Sequence, residues 1–209
     1  GYLGMYLFLM GKYLEKTENT DLPEYWKKGI SLALNKIQSL MRDGITQVSE
    51  ENTTAYLMDN LEVWKGLYEW ELAGLEDTQA ISEMRKKIQA QIENIFWDDA
   101  NQRWRIIGNS DLYDQTEFYP DGVAQIYPLI YEFPVKEKKK QKILYDQFTE
   151  KFQWQKLNKK RNDFLWAMTG MAAAQMGDIN NLVELIGNYE TEYCENRKYP
   201  LYTGEAGWI

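Results

Sequence analysis

Apolar residues recur every three to four positions along almost the whole chain, and strict apolar/polar alternation is nearly absent. That periodicity predicts helices, because a 3.6-residue turn brings such positions onto one buried face. Helices are expected at about 2–16, 23–42, 53–75, 78–96, 121–132, 135–153, 161–177 and 179–194. The breaks between them have recognisable chemistry. Asp21 leads into Leu22-Pro23 as a helix entry, Asp43-Gly44 ends the second helix, Asn52 or Thr53 caps the third, and Gly177-Asp178 is a tight turn. One stretch departs from the pattern. Phe96-Trp97 and Trp104-Arg105-Ile106-Ile107 flank Asp98-Asp99-Ala100-Asn101-Gln102, which predicts a small β-hairpin near 97–107. Arg103 and Arg105 flank Trp104 there and are not expected to face one ligand together.

The third helix is apolar over an unusually wide arc. Leu57, Leu61, Trp64, Tyr68, Leu72 and Leu75 form one stripe, which Val63, Leu67, Trp70 and Gly74 extend to roughly 200° at 100° per residue. Met58, Glu62, Lys65, Glu69 and Glu76 are expected on the wet side, and Ala55, Gly66 and Ala73 on an edge where backbones approach closely. A helix of this kind packs on several sides. Short connections between eight helices imply antiparallel neighbours in successive hairpins. The expectation is therefore an all-α chain, a single domain over 1–209, in which the third helix is an inner helix of a closing α/α toroid.

Composition narrows the chemistry. The chain of 209 residues has 44% apolar residues, enough for a sizeable core. A net charge of −8 argues against nucleic acid and anionic membranes as main partners. The Lys-rich run at 136–142 is read as a solvated helix start. No run of apolar residues is long enough for a membrane span, and the YLGMYLFLM stretch reads as a packed helix rather than a signal peptide. The start at Gly1 suggests an upstream segment. Cys194 is alone, so no internal disulfide forms. Histidine is absent, which removes the commonest general base and the commonest metal ligand. Catalysis would run on Asp, Glu, Tyr, Lys or Arg, with no cofactor or metal called for.

Carboxylates and aromatics cluster at two places. Asp59 and Asn60 lie near the start of the third helix, about two turns in, where burial would suit Asp59 to a general acid's role. Asp111, Asp114, Glu117 and Asp121 are interleaved with Tyr113, Phe118 and Tyr119 in GNSDLYDQTEFYPDG. Such a mixture suits sugars, whose hydroxyls take hydrogen bonds and whose C–H faces stack on rings. Asp121, after Pro120, is also placed to cap the next helix. Glycoside hydrolysis needs two carboxyl groups, about 5–5.5 Å apart for retention or about 6.5–9.5 Å for inversion.

Three segments carry a likeness to a family: AYLMDNLEVWKGL (55–67), FWDDANQRW (96–104) and YPDGVAQIYP (119–128), with YTGEAGWI (202–209) as a fourth. In these the chain resembles the six-hairpin glycosidase superfamily, the (α/α)6 toroids. Twelve helices complete such a ring, so eight correspond to a partial or truncated one. The resemblance implies a glycoside hydrolase acting on a polysaccharide or oligosaccharide. Asp59 and Asp121 would be acid and base, with Glu205, Tyr119, Glu117, Asn60 and Trp208 contacting the carbohydrate. It also favours an extracellular or cell-envelope location. Two alternatives remain open: a non-catalytic glycan-binding or scaffold toroid, and a polysaccharide lyase with tyrosine as base.

Overall fold

A computed structural model describes residues 1–18, 20–75, 78–108, 110, 117–156 and 167–197. The chain divides into two compact units, Gly1–Tyr113 and Asp114–Ile209. Both are built mainly from helices. No helix among the described residues is long and apolar enough to cross a membrane.

The first unit contains α1 (Tyr2–Thr17), α2 (Glu24–Leu40), α3 (Leu57–Ala73) and α4 (Thr78–Phe96). Two antiparallel β-ribbons join them: β1 (Met41–Arg42) with β2 (Ile45–Thr46), and β3 (Trp97–Asp98) with β4 (Arg103–Trp104). Side-chain contacts fix the helix directions. Tyr13 meets Trp26 edge-on at 5.1 Å and Tyr6 lies against Gly29, so α1 and α2 are antiparallel. Trp64 Nε1 donates to Gln89 at 3.3 Å while Arg85 Nε donates to Glu71 at 2.6 Å, so α3 and α4 are antiparallel too. Alternate helices α1 and α3 run parallel, as successive hairpins require: Gly4 abuts Glu62 and Val63, and Gly11 abuts Glu69.

The α1–α3 contact is nearly backbone on backbone. A Cβ on Gly4 would sit 2.5 Å from the Glu62 carbonyl oxygen, one on Gly11 2.8 Å from that of Glu69, and one on Gly66 would run into the Gly4 carbonyl. Only glycine allows that approach. Around it Leu7, Leu57, Leu61, Leu67, Ile88, Ile92 and Phe96 are fully buried. At ~25 cal/mol per Å² of apolar surface, each contributes about 2 kcal/mol.

The wet side expected for α3 is partly dry. Lys65 and Glu69 are only 6% and 5% exposed. Glu69 accepts from Lys65 at 3.0 Å and pairs with Lys12 of α1 at 2.9 Å. Hydrogen bonds to Glu15 and then to Glu69 hold the Lys12 ammonium above the usual lysine range, although burial opposes them. Leu72, placed on the apolar stripe by periodicity, is instead 65% exposed. The helix turns its stripe away from the core in its last turn, where Gly74 (φ 69°) ends it.

Two boundaries differ from the sequence expectation. Asp43-Gly44 does not simply end α2. Both residues have positive φ, 51° and 87°, and Arg42 pairs with Ile45, so they form a two-residue hairpin turn. The third helix begins at Leu57, because residues 53–56 run extended: Val48 N donates to Thr54, and Gly108 N to Ala55. The hairpin expected near 97–107 is present. Arg103 and Arg105, two residues apart, both reach Asp98, each at 3.7 Å, because alternate positions share a face.

The second unit contains a wide helical turn (Phe118–Gly122), α5 (Val123–Ile130), α6 (Lys138–Phe152), a short 3₁₀ turn (Trp154–Lys156), α7 (Thr169–Met176) and α8 (Ile179–Tyr189), with a second wide turn at Glu190–Glu195. α5 is buried throughout. The start of α5 lies against the end of α6, and Gly170 at the start of α7 faces Leu182 and Leu185 of α8, so both pairs are antiparallel. Asp178 caps α8 by accepting from Asn181 N at 3.3 Å, and Tyr145 of α6 donates to the same carboxylate at 2.8 Å. Burial works to raise the Asp178 carboxyl, but hydrogen bonds from Asn181 and Tyr145 outweigh it and hold the group below the usual carboxylate range.

Candidate functional site

The segments that carry Asp59 and Asp121 belong to different units. In the first unit, AYLMDN forms the entry to α3. Tyr56 bridges Ile107, and Leu57 N donates to Ile106 at 2.9 Å, so the chain swings straight from an extended bridge into the helix. Asp59 therefore lies in the first turn rather than two turns in. Its side chain is 45% exposed, and the Gly1 amino nitrogen lies 3.4 Å from Oδ1. The burial expected to suit Asp59 to an acid's role is missing. A carboxylate in the first turn instead gains from the positive end of the helix dipole.

Asn60 points the other way. It is 0% exposed. Its Oδ1 accepts from Thr46 N at 2.7 Å and from the Thr46 hydroxyl at 3.0 Å, while its Nδ2 donates to the carbonyls of Thr46 at 3.0 Å and Tyr56 at 2.9 Å. All four of its hydrogen-bonding positions are used inside the fold, so it ties the β1–β2 ribbon to α3 and has none left for a ligand.

In the second unit, Glu117, Tyr119 and Asp121 come together in one turn. Tyr119 is extended (φ −125°, ψ 133°), and the Tyr119–Pro120 peptide is cis. Phe118 turns inward onto Phe148 and Phe152, at ring-centroid distances of 5.6 and 5.5 Å. Tyr119 faces outward, 44% exposed, and Glu117 is exposed. Asp121 is 7% exposed. Rather than capping the following helix, its Oδ2 accepts from the backbone N of Glu117 at 3.4 Å, and its carbonyl accepts from Gln125 Nε2 at 3.2 Å.

Asp121 also lines a small open cleft of about 50 Å³, with Gly122, Gln125, Leu144, Gln147, Phe148, Lys151 and Phe152. Gly122 shapes its wall, since a Cβ there would lie 2.8 Å from Cζ of Phe152 and closer still to Cε2. The buried residues Leu144, Phe148 and Phe152 supply an apolar side, while Gln147 and Lys151, one turn apart on α6, are exposed at the rim. The Lys151 ammonium lies over the Phe152 ring at 5.2 Å. At ~30 Å³ per water in the liquid, the cleft is a recess for about one or two waters. Asp121 is the one carboxylate among the described residues of its lining.

Sequence reasoning found Asp121 and its aromatic neighbours but missed the α6 wall. The signal was Phe148/Phe152 and Gln147/Lys151, both at i,i+4, which also fits an ordinary amphipathic helix. Asp111, Tyr113, Asp114, Glu205 and Trp208 lie outside the described residues. No family model, no curated protein and no solved structure matches this chain.

Proposed function

We propose that the protein acts on carbohydrate as a glycoside hydrolase of the six-hairpin type, its helical hairpins belonging to an α/α toroid. Asp121 is a working carboxyl group, the resemblance gives such a role to Asp59 also, and Tyr119 is a platform for a sugar face. The observation that carries this reading is Asp121 itself. It is a nearly buried residue that lines a cleft, with aromatic residues beside it and an exposed tyrosine two residues away. A carboxyl group held in that setting suits proton transfer at a glycosidic oxygen or an attacking water. The family-like segments that hold Asp59 and Asp121 support a role for each carboxyl group.

The test is reducing-end release from a panel of polysaccharides and oligosaccharides. Asp121→Asn and Asp59→Asn are each expected to lower release by about 100-fold or more. Release that persists unchanged in both variants removes the assignment. A second reading, glycan binding without cleavage, is favoured by the small size of the cleft and by the single carboxylate among its described lining residues. Glycan-array binding without any reducing-end release selects that reading.

A further inference from the structure

The loop that leads from the β1–β2 ribbon to α3 carries Asn52-Thr53-Thr54, with the spacing Asn-x-Thr. Asn52 is the one asparagine of the chain with a serine or threonine two residues on. So short a motif recurs by chance, and its surroundings decide what it can do. Val48 N donates to the Thr54 carbonyl at 2.9 Å and Ser49 N to that of Asn52 at 3.2 Å, which closes residues 48–54 into a compact turn. Within it Asn52 Oδ1 accepts from Thr54 N at 3.0 Å, and the Ser49 hydroxyl accepts from Asn52 N at 3.0 Å. The Asn52 side chain thus caps its own turn rather than α3. No hydrogen bond to a described residue engages Asn52 Nδ2 or the Thr54 hydroxyl, and Glu51, Asn52 and Thr53 are exposed.

We propose that Asn52 is an N-glycosylation acceptor, the point at which an oligosaccharide is attached in a secretory compartment. The co-reactant is an oligosaccharide carried on a lipid diphosphate, presented by a membrane-bound oligosaccharyltransferase. Asn52 Nδ2 forms a bond to C1 of the first sugar while the bond from C1 to the diphosphate oxygen breaks. Nδ2 gives up one proton, and the lipid diphosphate leaves with the electron pair of the broken bond. A carboxamide nitrogen shares its lone pair with the carbonyl and is a weak nucleophile, so it reacts only where an enzyme can grip it. The turn leaves both parts of that grip open: the nitrogen that reacts and the hydroxyl two residues on. The product fits as well, because a bulky, hydrated glycan on Asn52 displaces no buried side chain. Asn60, fully buried and with every polar position used, offers the opposite setting.

Neither Asp59 nor Asp121 takes part, so the outcome does not bear on the hydrolase reading. The test is secretion of the full chain behind a cleavable signal from a eukaryotic cell line, with mass mapping of the peptide that holds Asn52. Most molecules are expected to carry a hexose- and N-acetylhexosamine-containing mass shift on that peptide. A peptide-N-glycosidase should remove it and leave the Asn52→Asp conversion behind. Thr54→Ala retains the backbone N–H that Asn52 accepts from, so it is expected to keep the melting temperature and lose the shift, while Thr54→Ser keeps both. Unmodified Asn52 in the secreted chain, or a shift that survives Thr54→Ala, overturns the assignment. A glycosylated chain that melts well below its glycosidase-treated form overturns it too, since an exposed turn has room for the sugar.

Discussion

Asn60 shows how a polar residue beside a candidate catalytic carboxylate can serve the fold alone. Its amide closes the β1–β2 ribbon onto α3 through four hydrogen bonds, in a place water does not reach. Truncation leaves the Thr46 N–H and carbonyl buried without that partner, which costs about 1–3 kcal/mol for each orphaned group. Asn60→Ala is therefore expected to lower the unfolding free energy by about 3 kcal/mol in chemical denaturation. A loss below about 0.5 kcal/mol would mean that the ribbon finds other partners. The sequence placed Asn60 and Asp59 side by side as site residues, and adjacency was the limit of what it offered. Neighbours 100° apart on a helix face different surroundings. Which of them enters the core depends on Thr46, a strand residue fourteen positions upstream.

At the scale of elements, the helices were legible because their apolar period is long and regular. The expected spans for α1, α2, α4 and α6 agree with those observed to within a few residues. The errors fall where local chemistry competes with periodicity. Asp43-Gly44 fits a helix stop, yet the pair flanked by Met41-Arg42 and Ile45-Thr46 is also a hairpin signature. Their charge places Lys65 and Glu69 in solvent by pattern, because charged residues rarely lie in a core. The sequence has no way of showing that Lys12 on another helix completes their pairing. That pairing makes Glu69 the residue on which two cations depend, one of them buried. Glu69→Ala removes the carboxylate that Lys65 and Lys12 share and is expected to destabilise the protein by about 1.5–3 kcal/mol. The comparison that isolates the charge is the Lys65→Met/Glu69→Leu double variant, which denaturant titration should find much closer to the parent. Equal losses in the two variants would assign the effect to packing instead.

For the whole molecule, the division into two compact units has a direct experimental reading. The first unit carries its own core, in which Leu57, Leu61, Leu67, Ile88, Ile92 and Phe96 are fully buried. Residues 1–108 expressed alone are expected to keep a helical circular dichroism spectrum and to melt in one cooperative transition. A gradual, non-cooperative melt would show that this core needs the remainder of the chain. The units also divide what the sequence motifs seemed to join: Asp59 and Asp121 were paired by resemblance, while the described geometry gives each its own setting. Asp121 has a cleft around it; Asp59 is an exposed first-turn carboxylate. Sequence patterns located both acids without revealing this difference, because burial depends on residues such as Gly122 and Phe152 that come together only after folding.

The facing glycines of α1 and α3 leave that seam without evolutionary slack. Most core contacts tolerate an enlarged residue if the opposite side chain shrinks, so pairs can drift together through compensating changes. Gly4 and Gly66 have nothing to trim. A methyl gained on either must be absorbed by separating the helix axes, which would loosen the Lys12–Glu69 bond and the leucines below it. Suppressors of such a change should therefore map to the outer faces, where the hairpins can shift as bodies, and not to the seam itself.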